Sequence, residues 1–288
     1  MTIIEAEITD LSHDGRGVAH VNGKAVFVTG ALAGELVRLR FTGKKRHFDE
    51  AVVEEILRAS ADRITPRCAH FGVCAGCVLQ HLDSGAQIAA KQRTLLENLE
   101  RIGKVQPQQV LPPLTDVPWG YRRKGRLSVK FVDKKGRVLV GFRETNGRYV
   151  ADIKHCDVLH PAVGERIEAI AALIEALDAK RDIPQIEIAA GDELVALIFR
   201  HLQPLSLRDS EALIAFGQTH GLGIFVQPGG IDSVAPLWPL DARLSFRLPA
   251  YDLELDFQPL DFIQVNAGMN LRMIDHALGL LDPRPDDR

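Results

Sequence analysis

The sequence predicts an α+β protein: a small N-terminal β-barrel of the OB-like kind, then a cysteine-bearing loop, then a larger mixed α+β domain. Three observations carry that prediction. Residues 2–57 hold short runs with apolar and polar residues in alternation or with β-branched residues, separated by the turn dipeptides Asp14-Gly15 and Asn22-Gly23. Three of the four cysteines in 288 residues, Cys68, Cys74 and Cys77, fall within ten positions. Beyond them, pairs of strand-like runs interleave with helical runs, which favours α+β over a regular βαβ succession.

In chain order, TIIEAEIT alternates at period two, and HDGRGVAHVNGKAVFV, ELVRLRFTG and DEAVVEEIL continue the habit. Short strands closely spaced with glycine turns predict a closed or partly closed barrel, a form that often binds nucleic acid. The loop GKKRH would be its basic projection, with Lys44, Lys45 and Arg46. A helix is expected in SGAQIAAKQRTLLENLERIG, where Ile88, Leu95, Leu99 and Ile102 keep helical spacing, Ser84 is the N-cap and Gly103 the stop. GRLSVKFV and GRVLVGFRE read as strands around a turn at 133–136. PAVGERIEAIAALIEALDAK reads as one helix with Pro161 near its first turn. IPQIEIAAG and ELVALIFRHL make a strand hairpin, and SLRDSEALIAFGQTHG a helix ended by Gly221. LGIFVQPGG, RLSFRLPA and YDLELDFQPLDFIQVN are further strand-like runs, before a short helix NLRMIDHALGLL and the linker-like DPRPDDR. The expected domains are 1–60, 61–265 and 266–288.

Composition sets the class. An apolar fraction of 46% permits a sizeable core. No run approaches the ~20 apolar residues of a membrane span, and the acidic, alternating N-terminus does not suit a secretory signal. A cytoplasmic monomer without membrane contact is expected, and in that compartment clustered cysteines point to metal or redox chemistry before disulfides. The net charge is only −3, but residues 119–150 carry ten Lys/Arg against two acids, and residues 249–288 three against eight. A basic block beside an acidic tail suits contact with a polyanion through one face, and also a hairpin with solvated charged edges.

The cysteine spacing is C-x5-C-x2-C, with 78 residues between Cys77 and Cys156. Four thiolates suit zinc or a [4Fe-4S] cluster. The unequal three-plus-one arrangement favours the cluster, because zinc ribbons usually present two CxxC pairs. Gly72 and Gly76 give the loop the backbone freedom to bring N–H groups near the sulfurs. His70, His81 and His155 flank the cysteines and read as surface or supporting residues rather than ligands.

These residues resemble a known family. HDGRGVAHVNGKAVFVTGALAGE is similar to the start of a TRAM domain, an OB-like RNA-binding module. CAHFGVCAGCVLQHL resembles the [4Fe-4S] loop of bacterial RNA uracil-C5 methyltransferases, and GYRRKGRLSVK, the lone HCDVL and LDFIQVN follow in that family's order. The likeness is greatest to its 23S ribosomal RNA branch. The resemblance implies that Cys68, Cys74, Cys77 and Cys156 hold the cluster and that ribosomal RNA is the partner. It also implies that Gln264 helps bind S-adenosylmethionine, with Phe262 and Asn266 near the methyl-transfer site. RNA contact is expected from Lys44, Lys45 and Arg46, from Arg122, Arg123, Lys124 and Arg126 in the basic block 122–130, and from Phe262, with Trp119 and Tyr121 available to stack on bases. In that family a Rossmann-like cofactor domain follows DPRPDDR. The chain stops there, and QPGG is only a loop. Uracil C5 is methylated after a nucleophile adds at C6, and with all four thiols given to the cluster no catalytic residue is assigned. The resemblance therefore leads us to expect that the S-adenosylmethionine domain is absent and that this chain alone is inactive. The competing readings are a non-enzymatic iron–sulfur RNA-binding protein and a zinc-containing structural module.

Overall fold

The computed structural model describes residues 3–284, 286 and 287; Thr2 of the first expected strand and Pro285 and Arg288 of the expected linker lie outside them. The chain divides into two compact units, Met1–Gly72 with Cys77–Pro113, and Val73–Gly76 with Leu114–Arg288. The division therefore does not fall at residue 60. Residues 61–72 and 77–83 stay with the first unit, where Arg63 is ion-paired to Glu35 and Leu79 and Val78 lie against Gly15.

In the first unit, β1 (Ile3–Glu7), β2 (Asp10–Leu11), β3 (Gly17–Val21), β4 (Lys24–Thr29), β5 (Leu36–Lys44) and β6 (Phe48–Arg58) form one sheet in the order β1-β5-β6-β4-β3-β2. β1 and β2 are halves of one bent stretch joined through Ile8 and Thr9, so the two edges of the sheet are covalently continuous. At the bend, Ile8 N–H donates to Glu35 O (2.8 Å) and Thr9 N–H to Val18 O (2.8 Å). Period-two alternation explains the register: Val37 and Leu39 of β5 point into a core with Ile8, Val26, Val28 and Ala51, while Arg38 and Arg40 point out to Glu5, Glu55 and Glu54. The helix α1 (Ser84–Arg101) starts one residue earlier than expected. Asp83, not Ser84, is its N-cap, accepting from Gly85 and Ala86 N–H.

The second unit is built on a sheet of β7 (Lys124–Val132), β8 (Arg137–Gly141), β9 (Gln185–Ala190), β10 (Val195–Arg200), β11 (Leu222–Gln227) and β12 (Ala235–Trp238), ordered β12-β11-β10-β9-β7-β8. The hairpins β7–β8 and β9–β10 follow the sequence reading, with Gly136 left-handed (φ 63°) at the first turn. The expected single helix at 161–180 is broken into α2 (Pro161–Gly164) and α3 (Ile167–Ala176), with Arg166 off helical geometry between them. α4 (Leu207–His220) begins at Ser206 and ends at left-handed Gly221. It connects β10 to β11, which pair in parallel, so one βαβ unit sits among the antiparallel pairs. β12 was not expected; Pro236 is tolerated there because β12 is an edge strand. β13 (Ser245–Leu248) and β14 (Leu253–Asp256) form a separate hairpin, and α5 (Ala267–Leu281) ends the unit. The expected strand through LDFIQVN does not form; residues 257–266 belong to no strand.

Apolar residues cover both faces of this sheet. One face packs Leu127, Ile186, Ile188 and Phe199 against Ile167, Ile170 and Ile174 of α3 and Leu213 of α4. The other packs Ala189, Ile198 and Phe225 against Leu244, Phe257 and Ile263. Among the described residues no helix is long and apolar enough to cross a membrane.

Candidate functional site

Three regions gather the residues singled out by the sequence. The first is the β5–β6 turn. Lys44, Lys45, Arg46 and His47 are all exposed there, and the turn is tied down by Lys24, whose Nζ donates to Lys45 O (2.5 Å) and to Asp49 (2.6 Å). The Lys24 hydrogen bond is a cause of the lowered pKa of Asp49. Three cationic side chains thus stand outward on an anchored tip, a form suited to phosphate contact.

The second region is the cysteine loop. All four cysteines are half-buried and none is in a disulfide. Cys68 and Cys77 belong to the first unit and Cys74 and Cys156 to the second. Cys74 runs antiparallel beside Glu144, and both Cys74 and Cys156 pack against the α3-side core. Cys156 N–H donates to Gly164 O (2.8 Å), and a Cβ at Gly164 would stand 2.2 Å from Cys156 O, so only glycine lets α2 approach this backbone. Gly72 is left-handed (φ +87°), and Gly76 N–H points to Cys74 Sγ at 3.4 Å. The donor chemistry suits a metal cluster: four thiols outside any disulfide, one already accepting a backbone N–H, an interaction that tunes cluster sulfurs. Among the described residues, however, no three His, Cys, Asp or Glu side chains stand together so as to hold a metal ion. The loop that carries three of the four thiols is divided between the two units. His81 is also not a surface residue: it is 3% exposed, and neither ring nitrogen has a protein hydrogen-bond partner. Burial, with Arg63 nearby, pushes its pKa down to about 4.

The third region is the basic block and the segment 257–266. Here the structure corrects the sequence reading. Arg123 is buried, its Nε donating to Gln264 O (3.1 Å) and its guanidinium lying 5.0 Å over the Phe246 ring, with Asp192 at 3.6 Å. Lys124 Nζ donates to Pro259 O (2.5 Å), and burial lowers its pKa against the opposing pull of Glu187 and Asp261. These two cations fasten the 257–266 segment to the sheet and are not a phosphate-binding surface. Arg122 adds backbone bridges to Leu159 and Asn266, and Trp119 and Tyr121 are half-buried. Of Arg122, Arg123, Lys124 and Arg126, only Arg126 is exposed, and its Nε is bonded to Glu187 (2.7 Å).

The fastened segment presents a defined surface. Ile263 is buried in the sheet core, so its neighbours Phe262 and Gln264 face outward, Phe262 at 82% exposed. Asn266 caps α5 through Met269 N–H (2.9 Å). Asp116 lies against the same helix start, so that a Cβ at Gly268 would meet its carboxylate at 2.1 Å, and Arg272 neutralises it from 3.7 Å.

Residues 2–52 match the TRAM domain family. The fold is shared with the solved tRNA (uracil-54, C5)-methyltransferase of Pyrococcus abyssi, in complex with S-adenosyl-L-homocysteine. The TM-score is 0.66 at 20% identity, over 96% of this chain and 65% of that one. The chain is also similar to proteins named 23S rRNA (uracil(1939)-C(5))-methyltransferase RlmD. The protein of Xanthomonas oryzae pv. oryzae is 62% identical over the whole of this chain, and that of Xylella fastidiosa 58% identical over 97% of it. The chain spans 65% and 64% of the lengths of these two relatives. These matches extend over the whole of this chain, and the expectations of an absent S-adenosylmethionine domain and of an inactive chain are withdrawn.

Proposed function

We propose that this chain serves the S-adenosylmethionine-dependent C5 methylation of a uridine in 23S ribosomal RNA, reading the RNA through its N-terminal sheet and through the segment 257–266. The observation that carries the reading is the outward presentation of Phe262 and Gln264 from a segment clamped by Ile263, Arg123 and Lys124. A phenyl ring left in water on an anchored loop gains when an unstacked base covers it. S-adenosylmethionine, when bound, supplies the methyl group. On this reading Gln264 offers an amide to that cofactor, Phe262 stacks on RNA near the reacting uracil, and Lys44, Lys45 and Arg46 neutralise phosphates. Neither the nucleophile for C6 nor the base for the C5 proton is assigned to a residue of this chain.

On the same reading Cys68, Cys74, Cys77 and Cys156 hold a [4Fe-4S] cluster. Support comes from the thiol set and from the Gly76 N–H beside Cys74 Sγ. Anaerobically purified protein is expected to be brown with about four iron atoms per chain; colourless protein holding one zinc would replace this assignment with a structural zinc site. The RNA reading is tested with a labelled 23S fragment spanning the target uridine. Phe262→Ala is expected to weaken binding at least about fivefold, the low end of one lost base–aromatic stack. An unchanged affinity would remove the segment from the RNA surface.

A further inference from the structure

We propose that Gln80 is a positioning residue that sets the place of Cys68, and that the Glu35–Arg63 ion pair registers the loop carrying both to the N-terminal sheet. The link to a metal cluster rests on the reading above; the positioning itself does not.

The chain of contacts lies within the first unit. Glu35 is wholly buried, and its carboxylate accepts from Leu32 N–H (2.8 Å), Ser60 N–H (3.2 Å), Arg63 Nε (2.6 Å) and Arg63 Nη2 (2.8 Å). Arg63 Nη2 also donates to Gly30 O (2.7 Å). This two-pronged fork fixes the Arg63 backbone against the sheet. Residues 62–64 then run antiparallel to 81–83: Asp83 N–H donates to Asp62 O (2.9 Å), Ile64 N–H to His81 O (3.0 Å), and Arg63 bridges Leu82. The loop that contains Cys68 and Cys77 is thereby closed at its base. Inside it, the buried Gln80 accepts Cys68 N–H at Oε1 (3.1 Å), and Cys68 O accepts Phe71 N–H (3.1 Å). Phe71 in turn lies against the His81 ring, 5.1 Å between centroids. Both backbone polar groups of Cys68 are thus bonded, one of them by a side chain that reaches across twelve residues for it. A thiol offered to a multi-thiolate site benefits from such support, because its place is then set before the metal arrives.

The test compares Gln80→Met, which keeps the size and loses the acceptor, with Gln80→Glu, which keeps an acceptor oxygen. In chelator-treated full chain, alkylation by iodoacetamide is followed at each cysteine by mass spectrometry. In Gln80→Met, Cys68 is expected to react at least about fivefold faster while Cys156 keeps its rate, the melting temperature stays within a few degrees, and Gln80→Glu returns the rate of Cys68 to that of the parent. Should Gln80→Met fail to fold, Gln80→Asn withdraws the oxygen by one methylene and replaces it. An unchanged Cys68, or equal acceleration at Cys68 and Cys156, would overturn the proposal. Iron bound on anaerobic purification is read in parallel and is expected to fall in Gln80→Met. If the parent holds no iron but Cys68 alone is freed, the cluster assignment fails and the positioning role stands.

Discussion

Each unit fastens an irregular segment to its sheet with one arginine, half-buried Arg63 in the first and buried Arg123 in the second, and the two fastenings differ in kind. Arg63 meets a carboxylate that is wholly out of water and already takes two backbone N–H groups. Arg123 meets chiefly a backbone carbonyl and a phenyl face, and its nearest carboxylate, Asp192, is 39% exposed at 3.6 Å. The first is a charge-on-charge lock whose partners are costly to separate; the second is a clamp in which the charge is secondary. The cysteine loop is therefore held by electrostatics and the Phe262–Gln264 segment by packing and a hydrogen bond.

Separating the partners of the lock gives the largest effect. Glu35→Ala leaves the Arg63 guanidinium beside the core without its partner and is expected to cost the first unit about 3–5 kcal/mol, measured by urea unfolding; a loss below about 1 kcal/mol would make the lock no stronger than a surface pair.

Acid comes next. His81 sits beside this lock with a pKa of about 4, below its ordinary 6.5, because burial disfavours the imidazolium. Between these values the unfolded chain takes a proton that the folded chain refuses. Stability should thus be full above pH 6.5 and fall by up to about 3 kcal/mol as pH drops towards 4. Burial alone would raise the pKa of Glu35, but Arg63 and the backbone N–H groups hold it below 4.5, so the stability it contributes is present above 4.5 and is lost as pH falls through its lowered pKa. His81→Phe should abolish the slope in the upper window alone, and persistence of that slope in the variant would assign it to another group.

The clamp is weaker. Arg123→Ala is expected to cost the second unit about 1.5–3 kcal/mol, the range for a hydrogen bond to a charged group. Asp192→Ala should cost under about 1 kcal/mol, as for an exposed ion pair. Equal losses in the two variants would mean that the ion pair, and not the Gln264 carbonyl, does the fastening.

Much of this was legible in the sequence. The period-two runs of the first sheet, the turn at 133–136, and α4 between Ser206 and Gly221 follow from local signals. Others were not. The parallel pairing of β10 with β11 depends on tertiary partners, and Pro236 hid β12. The buried charges had a signal that charge counting passes over. Glu35 lies two residues before Val37 and four before Leu39, and Arg123 four before Leu127 and six before Val129, each in phase with the core-facing residues of the strand that follows. Carrying the alternation back past the strand start places both charges inside. Arg126 and Lys130, out of phase, are exposed.

The same distinction decides which basic residues can meet RNA. The exposed tip Lys44, Lys45 and Arg46 is predicted to contact phosphate; the buried Arg123 and the half-buried Lys124, bonded to Pro259 O, are not. The most direct measurement is the affinity for a labelled 23S fragment as a function of salt, for the parent chain and for Lys44→Ala/Lys45→Ala/Arg46→Ala. Each lost phosphate contact removes about 0.7–0.9 from the slope of log K against log salt, so the triple variant should lose about 2–3 and bind more weakly at every salt concentration. An unchanged slope and affinity would contradict RNA reading by this sheet.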